Sequence, residues 1–239
     1  MLLSIASEPA ENIDPLDGIT SSLSSVRTLI SYGRGEKIYC ETDLADHWHC
    51  VVSGAVRKYT VLTDGRRQIV DFLLPGDFFG FRERHQQSFA TDAITNGTTV
   101  ARYSRRGVEL AADRNPQLGR EIRELVLEAI SRSQGRLLIV GRMRSVEKVG
   151  AFLLEMAERC LDRRDRAVIV LPMSRYDIAD YLGLSVESVS RALTRLCRER
   201  VIRFVDKHRI SIIERDLLEF GIGWHGEQTL ERPLRRARG

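Results

Sequence analysis

Residues 171–200, LPMSRYDIADYLGLSVESVSRALTRLCRER, constrain the fold more tightly than any other part of the chain. Pro172 keeps Leu171 extended, because a residue before proline is biased away from helical dihedrals. Ser174 is a predicted N-cap, and Asp177, three residues on, is placed to reach back in a capping box. Ile178, Ala179 and Leu182 put small and apolar side chains on one helical face, and Gly183 supplies the permissive backbone of a sharp turn. Ser185 is a second predicted N-cap, and Glu187 suits the first turn of a second helix. Val186, Val189 and Leu193 form that helix's buried stripe, leaving Glu187, Ser188, Ser190, Arg191, Thr194 and Arg195 outside. This is the pattern of a helix-turn-helix whose second helix offers polar groups to base edges.

A helix pair with a merely solvated charged face shares that periodicity. The residues that follow separate the two. From position 191 to 209, seven cations (Arg191, Arg195, Arg198, Arg200, Arg203, Lys207, Arg209) face only Glu199 and Asp206. Such local excess is the electrostatic footprint of a phosphate-binding surface. The whole-chain net charge of +4 permits nucleic-acid binding without demanding it, so the clustering carries the inference.

The chain of 239 residues has room for two domains. Residues 1–20 read as a loose N-terminal arm, and 21–30 as a short helix. From Gly35 the texture changes to short strands, expected over 36–40, 48–53, 55–62, 68–73, 89–95 and 98–104. Gly54, Asp64-Gly65, Pro75-Gly76 and Asn96-Gly97 punctuate them, and the Asp-Gly and Asn-Gly pairs predict hairpin turns. This β domain takes in residues 21–114 and suggests a small barrel or sandwich. After Asn115-Pro116 a long helix is expected over 115–141, with Leu118, Ile122, Leu125, Ala129, Ser133, Leu137 and Val140 at spacings of three and four. Such a helix packs along the β domain, seams against a second copy, or does both. Dimerisation is expected, because a helix-turn-helix usually needs two copies to read a two-fold site.

A second domain spans 142–226, with Ser145 as the N-cap of its first helix and Val146, Val149, Phe152, Leu153 and Met156 as core. Residues 162–166 read as a charged turn, 167–171 as a strand, and 201–213 as two strands around Asp206-Lys207-His208, the wing of a winged helix. A basic tail over 227–239 (Arg232, Arg235, Arg236, Arg238) has little to bury and is expected to be disordered.

Other chemistries find less support. Cys40, Cys50, Cys160 and Cys197 are irregularly spaced without a C-x-x-C pair, which argues against a disulfide framework or zinc knuckle. Cys197 alone sits among cations, a setting that favours a thiolate. His47 and His49 share a strand face but lack a third ligand for a metal. No nucleophile elbow or phosphate-binding loop appears, so an enzyme is not expected. No apolar run matches a membrane span, and the acidic N-terminus lacks a basic n-region, so the cytoplasm is the expected location.

Several segments together carry a family likeness. G-E-K-I-Y (35–39), V-V-S-G-A-V-R-K-Y (51–59), D-G-R-R-Q-I (64–69) and P-G-D-F-F-G (75–80) resemble the effector domain of the Crp/Fnr transcription regulators. The segment 174–191, ending E-S-V-S-R, resembles that family's DNA-reading helices, most closely in the FixK-type branch. The resemblance implies an α+β chain: a β-roll of the cyclic-nucleotide-binding, jelly-roll kind, a long dimerisation helix and a C-terminal winged helix-turn-helix. It also implies a homodimer on a palindromic double-stranded operator with TTGA-type half-sites, recruiting RNA polymerase at genes for microoxic or anaerobic metabolism. Glu187, Ser190 and Arg191 match the base-reading E-x-x-S-R pattern. Ser174, Arg175, Ser185, Ser188, Arg195 and Lys207 are expected on the DNA backbone. The departures are informative. The first cysteine is Cys40, too late for the N-terminal cysteine group of an iron–sulfur sensor. Gln87-Ser88 stand where cyclic-AMP receptors carry an Arg-Ser pair, and a neutral amide lacks the charge to pair with a cyclic phosphate. Ser174 replaces an oxidation-sensitive cysteine of some FixK proteins. No cofactor and no diffusible effector are therefore expected; the alternative is a ligand-gated regulator of the same fold whose roll holds an unidentified small molecule.

Overall fold

A computed structural model describes residues 19, 22–81, 87–142, 144–160, 165 and 167–220. The expected arm apart from Ile19, the basic tail, Arg82, Arg84 and most of the charged turn at 162–166 lie outside the described residues. The chain divides into two units between Arg136 and Leu137, within the long helix.

Among the described residues the N-terminal unit carries eight strands: β1 (Arg27–Tyr32), β2 (Lys37–Tyr39), β3 (His47–Ser53), β4 (Val56–Val61), β5 (Arg67–Leu73), β6 (Phe78–Phe79), β7 (Ala90–Ala93) and β8 (Thr98–Ser104). They form two four-stranded antiparallel sheets, ordered β1-β8-β3-β6 and β2-β7-β4-β5. The first sheet is apolar on both faces, and alternate residues divide between them. Val51, Phe79 and Val100 join Tyr39, Val56 and Leu73 of the facing sheet in one core. Their neighbours Cys50, Phe78 and Ala101 join Val108 and Leu118 of two helices in another. Those helices are Arg105–Arg114, capped by Ser104, and the long Pro116–Arg142.

Two of the corners at which the chain passes between sheets lock together. Gly54, between β3 and β4, has φ of +83°, and a Cβ there would lie 2.5 Å from Thr98 Oγ1, so only glycine fits. Opposite it, the Thr95 hydroxyl accepts from Ala55 N–H at 3.0 Å and shares a 2.8 Å hydrogen bond with Thr98. The Asn96-Gly97 turn is therefore not a hairpin: β7 and β8 lie in different sheets, and the turn is the second corner. Asp64-Gly65 does close a hairpin between β4 and β5.

Three further expectations change. Residues 27–30, read as part of a helix, lie in β1, because pairing along β8 outweighs local preference; Ser24–Val26 keep a helical turn. The long helix runs through Gly141 to Arg142, and the next helix is capped at Arg144 rather than Ser145, with Glu147 accepting from the Arg144 N–H at 2.8 Å. Leu118, assigned to a dimer seam, is 1% exposed inside the roll's own helix-facing core, with Ile122 and Leu125 packed against that core. Later turns of the same face hold polar tethers. Arg132 pairs with Asp77 at 3.0 Å, and the Arg136 guanidinium donates to the backbone carbonyls of Ile69 and Val70. Val70 is the extra residue of a β-bulge, since Asp71 pairs with Lys58 and Ile69 with Tyr59. Leu127 and Ile130, 56% and 48% exposed, turn outward instead.

The C-terminal unit comprises the helix Ser145–Arg159, β9 (Val168–Val170), the helix pair Arg175–Leu182 and Val186–Arg198, β10 (Ile202–Phe204), β11 (Arg209–Ile212) and the helix Arg215–Phe220. Its sheet is ordered β10-β11-β9. Val149, Phe152, Leu153 and Met156 are wholly buried, as are Val189 and Leu196 of the second helix of the pair.

His49 offers a test of the roll's interior. It is 5% exposed, stacks on Phe79 at 5.1 Å, and sits where a Cβ on Gly80 would come within 3.1 Å of its Nδ1. Burial first, then the charges of His47 and Arg102, pull its pKa from 6.5 to about 3. A base whose pKa is depressed on folding leaves stability intact above its unfolded value and removes it as pH falls below. The roll should therefore lose up to about 1.4 kcal/mol per pH unit from this group on acidification below the ordinary histidine pKa. Thermal unfolding across that window should show the slope, and His49→Phe should flatten it.

Candidate nucleic-acid interface

The recognition surface begins with the first helix of the pair. Ser174 Oγ accepts from Asp177 N–H at 3.2 Å, while Asp177 Oδ2 accepts from Ser174 N–H at 3.0 Å and from its hydroxyl at 2.6 Å. Asp177 is buried, so this reciprocal cap is sheltered from water. At the other end Gly183 takes the left-handed conformation, φ +64°, and its N–H closes on Ala179 O. Tyr181 anchors the helix from behind, donating to the Glu155 carboxylate at 3.1 Å and meeting Phe152 edge-on at 5.7 Å.

The second helix starts at Ser185, whose Oγ accepts from Ser188 N–H at 3.1 Å. Val189, Ala192, Leu193 and Leu196 are its buried face; Val186, expected with them, is only half-buried at the first turn. Glu187, Arg191, Thr194, Arg195 and Arg198 are exposed, with Ser188 and Ser190 partly so. Helical spacing puts Glu187, Ser190 and Arg191 on one side of the first two turns. Each is held. Backbone hydrogen bonding at Glu187, then the adjacent Ser185 side chain and the Arg191 charge, hold its carboxyl below the usual glutamate range. Arg191 donates to Ser188 Oγ at 3.3 Å, and Ser188 in turn receives the Ser185 hydroxyl at 3.0 Å. Ser190 Oγ accepts from Arg175 Nη1 at 3.4 Å.

The remaining candidates separate into bound and open groups. Arg195 is paired with Glu199 at 2.8 Å, and Arg209 lies 3.9 Å from Asp206. Arg198, Arg200, Arg203 and Lys207 are exposed and have no carboxylate partner among the described residues. Lys207 lies in the turn between β10 and β11, as expected of a wing. Ser174 and Ser185, expected on the DNA backbone, both have their hydroxyls engaged in caps. Arg175 turns across the surface rather than away from it, its guanidinium 5.8 Å from the centre of the Phe204 ring.

Two residues went unread. Phe204 reads from the sequence only as a strand residue; an aromatic between Arg203 and Val205 beside a basic surface is the signal it offers. Tyr176, 68% exposed next to Arg175, lies on the same end of the first helix. Elsewhere, no group of three or more metal-ligating side chains occurs among the described residues, and none of the four cysteines is in a disulfide. No helix of the described residues is long and apolar enough to cross a membrane.

Comparison with known proteins matches this arrangement on both units. A Crp-like helix-turn-helix domain model covers residues 147–220, and a cyclic nucleotide-binding domain model covers 29–113. The nitrogen fixation regulation protein FixK of Rhizobium meliloti (strain 1021) is 41% identical over 196 residues, covering 82% of this chain and 88% of that one. The transcriptional activatory protein AadR of Rhodopseudomonas palustris is 38% identical over 178 residues, 74% of each chain. Among solved structures, FixK2 from Bradyrhizobium japonicum superposes with a TM-score of 0.76 at 38% identity, over 82% of this chain and 96% of that one. With both domain models matched in order and relatives of this identity covered over most of their length, the chain belongs to the Crp/Fnr family of DNA-binding transcription regulators, and within it is FixK-like.

Proposed function

We propose that the protein is a homodimeric transcriptional activator of the cytoplasm that reads a TTGA-type palindrome and recruits RNA polymerase at genes for microoxic or anaerobic metabolism. The observation that carries this reading is the organised face of Glu187, Ser190 and Arg191. An ionised carboxylate accepts from a cytosine amino group, and a guanidinium donates twice to guanine, so Glu187 and Arg191 suit the two partners of one G·C pair. Arg191 is steadied by Ser188, and Glu187 stays ionised through the neutral range. Arg198, Arg200, Arg203 and Lys207 supply the phosphate-facing charge, with Arg195 able to join by leaving Glu199. Exposed loops of both units meet the polymerase.

Two copies meet along the long helix, on the face opposite the roll. Leu127, Ile130, Gln134 and Leu137 follow one another at spacings of three, four and three, the seam of a coiled coil. Leu137 is 73% exposed, which supports this seam over one through Leu118. Activity without a cyclic nucleotide is supported by Gln87, which is 6% exposed and hydrogen-bonded through its backbone to Thr42 and Asp43. It brings no charge to a cyclic phosphate. The protein's own amount then sets its activity.

Fluorescence anisotropy of purified protein, without added effector, on a TTGAT-N4-ATCAA duplex beside a scrambled one tests the proposal. Tight binding to the palindrome alone is expected, and equal weak binding to both would reject it. Arg191→Ala should cost about 1–3 kcal/mol at the guanine and leave scrambled DNA unaffected. Leu127→Glu with Ile130→Glu should yield a monomer in sedimentation with an intact roll by circular dichroism, whereas a persisting dimer would move the seam elsewhere. Ser174→Ala should lower the stability of the C-terminal unit by about 1 kcal/mol, read by denaturant unfolding, because it removes a cap. Affinity well below the transition should hardly change.

A further inference from the structure

Arg175 stands at the meeting point of three elements. It opens the first helix of the pair, its guanidinium lies over Phe204 of β10, and Nη1 reaches Ser190 Oγ on the recognition helix. A cation over an aromatic face is held by the ring quadrupole, and the planar guanidinium can stack there while a free N–H points sideways. The consequence falls on Ser190. A serine hydroxyl has one proton and two lone pairs. With a lone pair taken by a guanidinium N–H, the favoured use of its own proton is toward an acceptor beyond the protein. Its neighbour Thr194 shows the other course, donating its hydroxyl proton to the Ser190 carbonyl at 2.9 Å. Among the described residues the Ser190 hydroxyl has no other hydrogen-bond partner than Arg175.

We infer that Arg175 is a positioning residue for base readout: resting on Phe204 and bonded to Ser190, it presents the Ser190 hydroxyl as a donor, directed to a base acceptor such as thymine O4, and so sets specificity rather than neutralising a phosphate. This rests on Ser190 as a base reader. The two roles differ in what salt and sequence do to binding. A phosphate contact acts equally on every sequence and contributes about one to the slope of log affinity against log salt. A positioning residue acts at one base pair and leaves the slope alone.

The test is anisotropy with Arg175→Met, Arg175→Lys, Ser190→Ala and the Arg175→Met/Ser190→Ala pair. Each is measured on the palindrome and on duplexes altered at each half-site base pair, across a potassium chloride series, with thermal unfolding as the control for folding. Ser190→Ala is expected to lose about two- to tenfold discrimination at one pair, the range of a single hydrogen bond. Arg175→Met should lose discrimination at that same pair, with the slope unchanged and the double variant no worse than Ser190→Ala. Arg175→Lys, which keeps the charge but not the flat fork, should behave like the methionine variant. Uniform weakening on all duplexes with a shallower slope would overturn the inference and make Arg175 a phosphate contact. If Ser190→Ala loses discrimination and neither Arg175 variant does, the inference fails while the base-reading assignment stands. If Ser190→Ala loses none anywhere, that assignment fails and takes the inference with it.

Discussion

At Gly54 the main chain passes so close to Thr98 that a methyl group has no room, and the roll depends on that approach. Two of the corners where the strands change sheets, β3 to β4 and β7 to β8, meet there, joined by the Thr95 and Thr98 hydroxyls and the Ala55 backbone. With the corners fixed, β3 and β8 are held in the middle of their sheet, and their alternate residues serve two cores at once. Val51 and Val100 face the other sheet while Cys50 and Ala101 face the helices, so the central strands of the sheet carry core on both faces. That is why Leu118 is buried within its own chain. The outer surface of the sheet needs a cover, and the first turns of the long helix supply it.

The C-terminal unit is built on a different economy, one of hydrogen-bonded termini. The Ser174–Asp177 cap and the left-handed Gly183 fix where the first helix begins and ends, and Ser185 starts the second. Buried Val189, Leu193 and Leu196 then decide which side of the second helix faces outward. The reading face is a by-product of that packing. Glu187, Ser190 and Arg191 are outside because the apolar stripe is inside, and their side chains are steadied by serines and by Arg175.

Local chemistry was legible in the sequence wherever the signal was local. The caps at Ser174 and Ser185, the glycine turn and the wing could be read from a few adjacent residues, and each is found in place. Where the outcome depended on a distant partner, the reading failed for a physical reason. Residues 27–30 became part of a strand because β8 was there to pair with them. Asn96-Gly97 has a hairpin's composition, but a turn does not reveal whether its flanking strands share a sheet. The periodicity of the long helix mixed two faces, one set by the roll and one turned outward, and spacing alone could not assign Leu118 to the first and Ile130 to the second. The Arg175–Phe204 contact joins residues 29 positions apart, and the aromatic among basic residues marks Phe204 without naming its partner.

The grip of Arg136 on the carbonyls of Ile69 and Val70 has a different kind of consequence. Successive carbonyls of a regular strand point to opposite edges, and the bulge at Val70 is what relaxes that alternation. Because the guanidinium engages main-chain oxygens, it is indifferent to which side chains β5 carries. The tether is thus tolerant of substitution and intolerant of length: the arginine's contact does not depend on the side chains at Ile69 and Val70, while deletion of a single residue would remove the irregularity that it recognises.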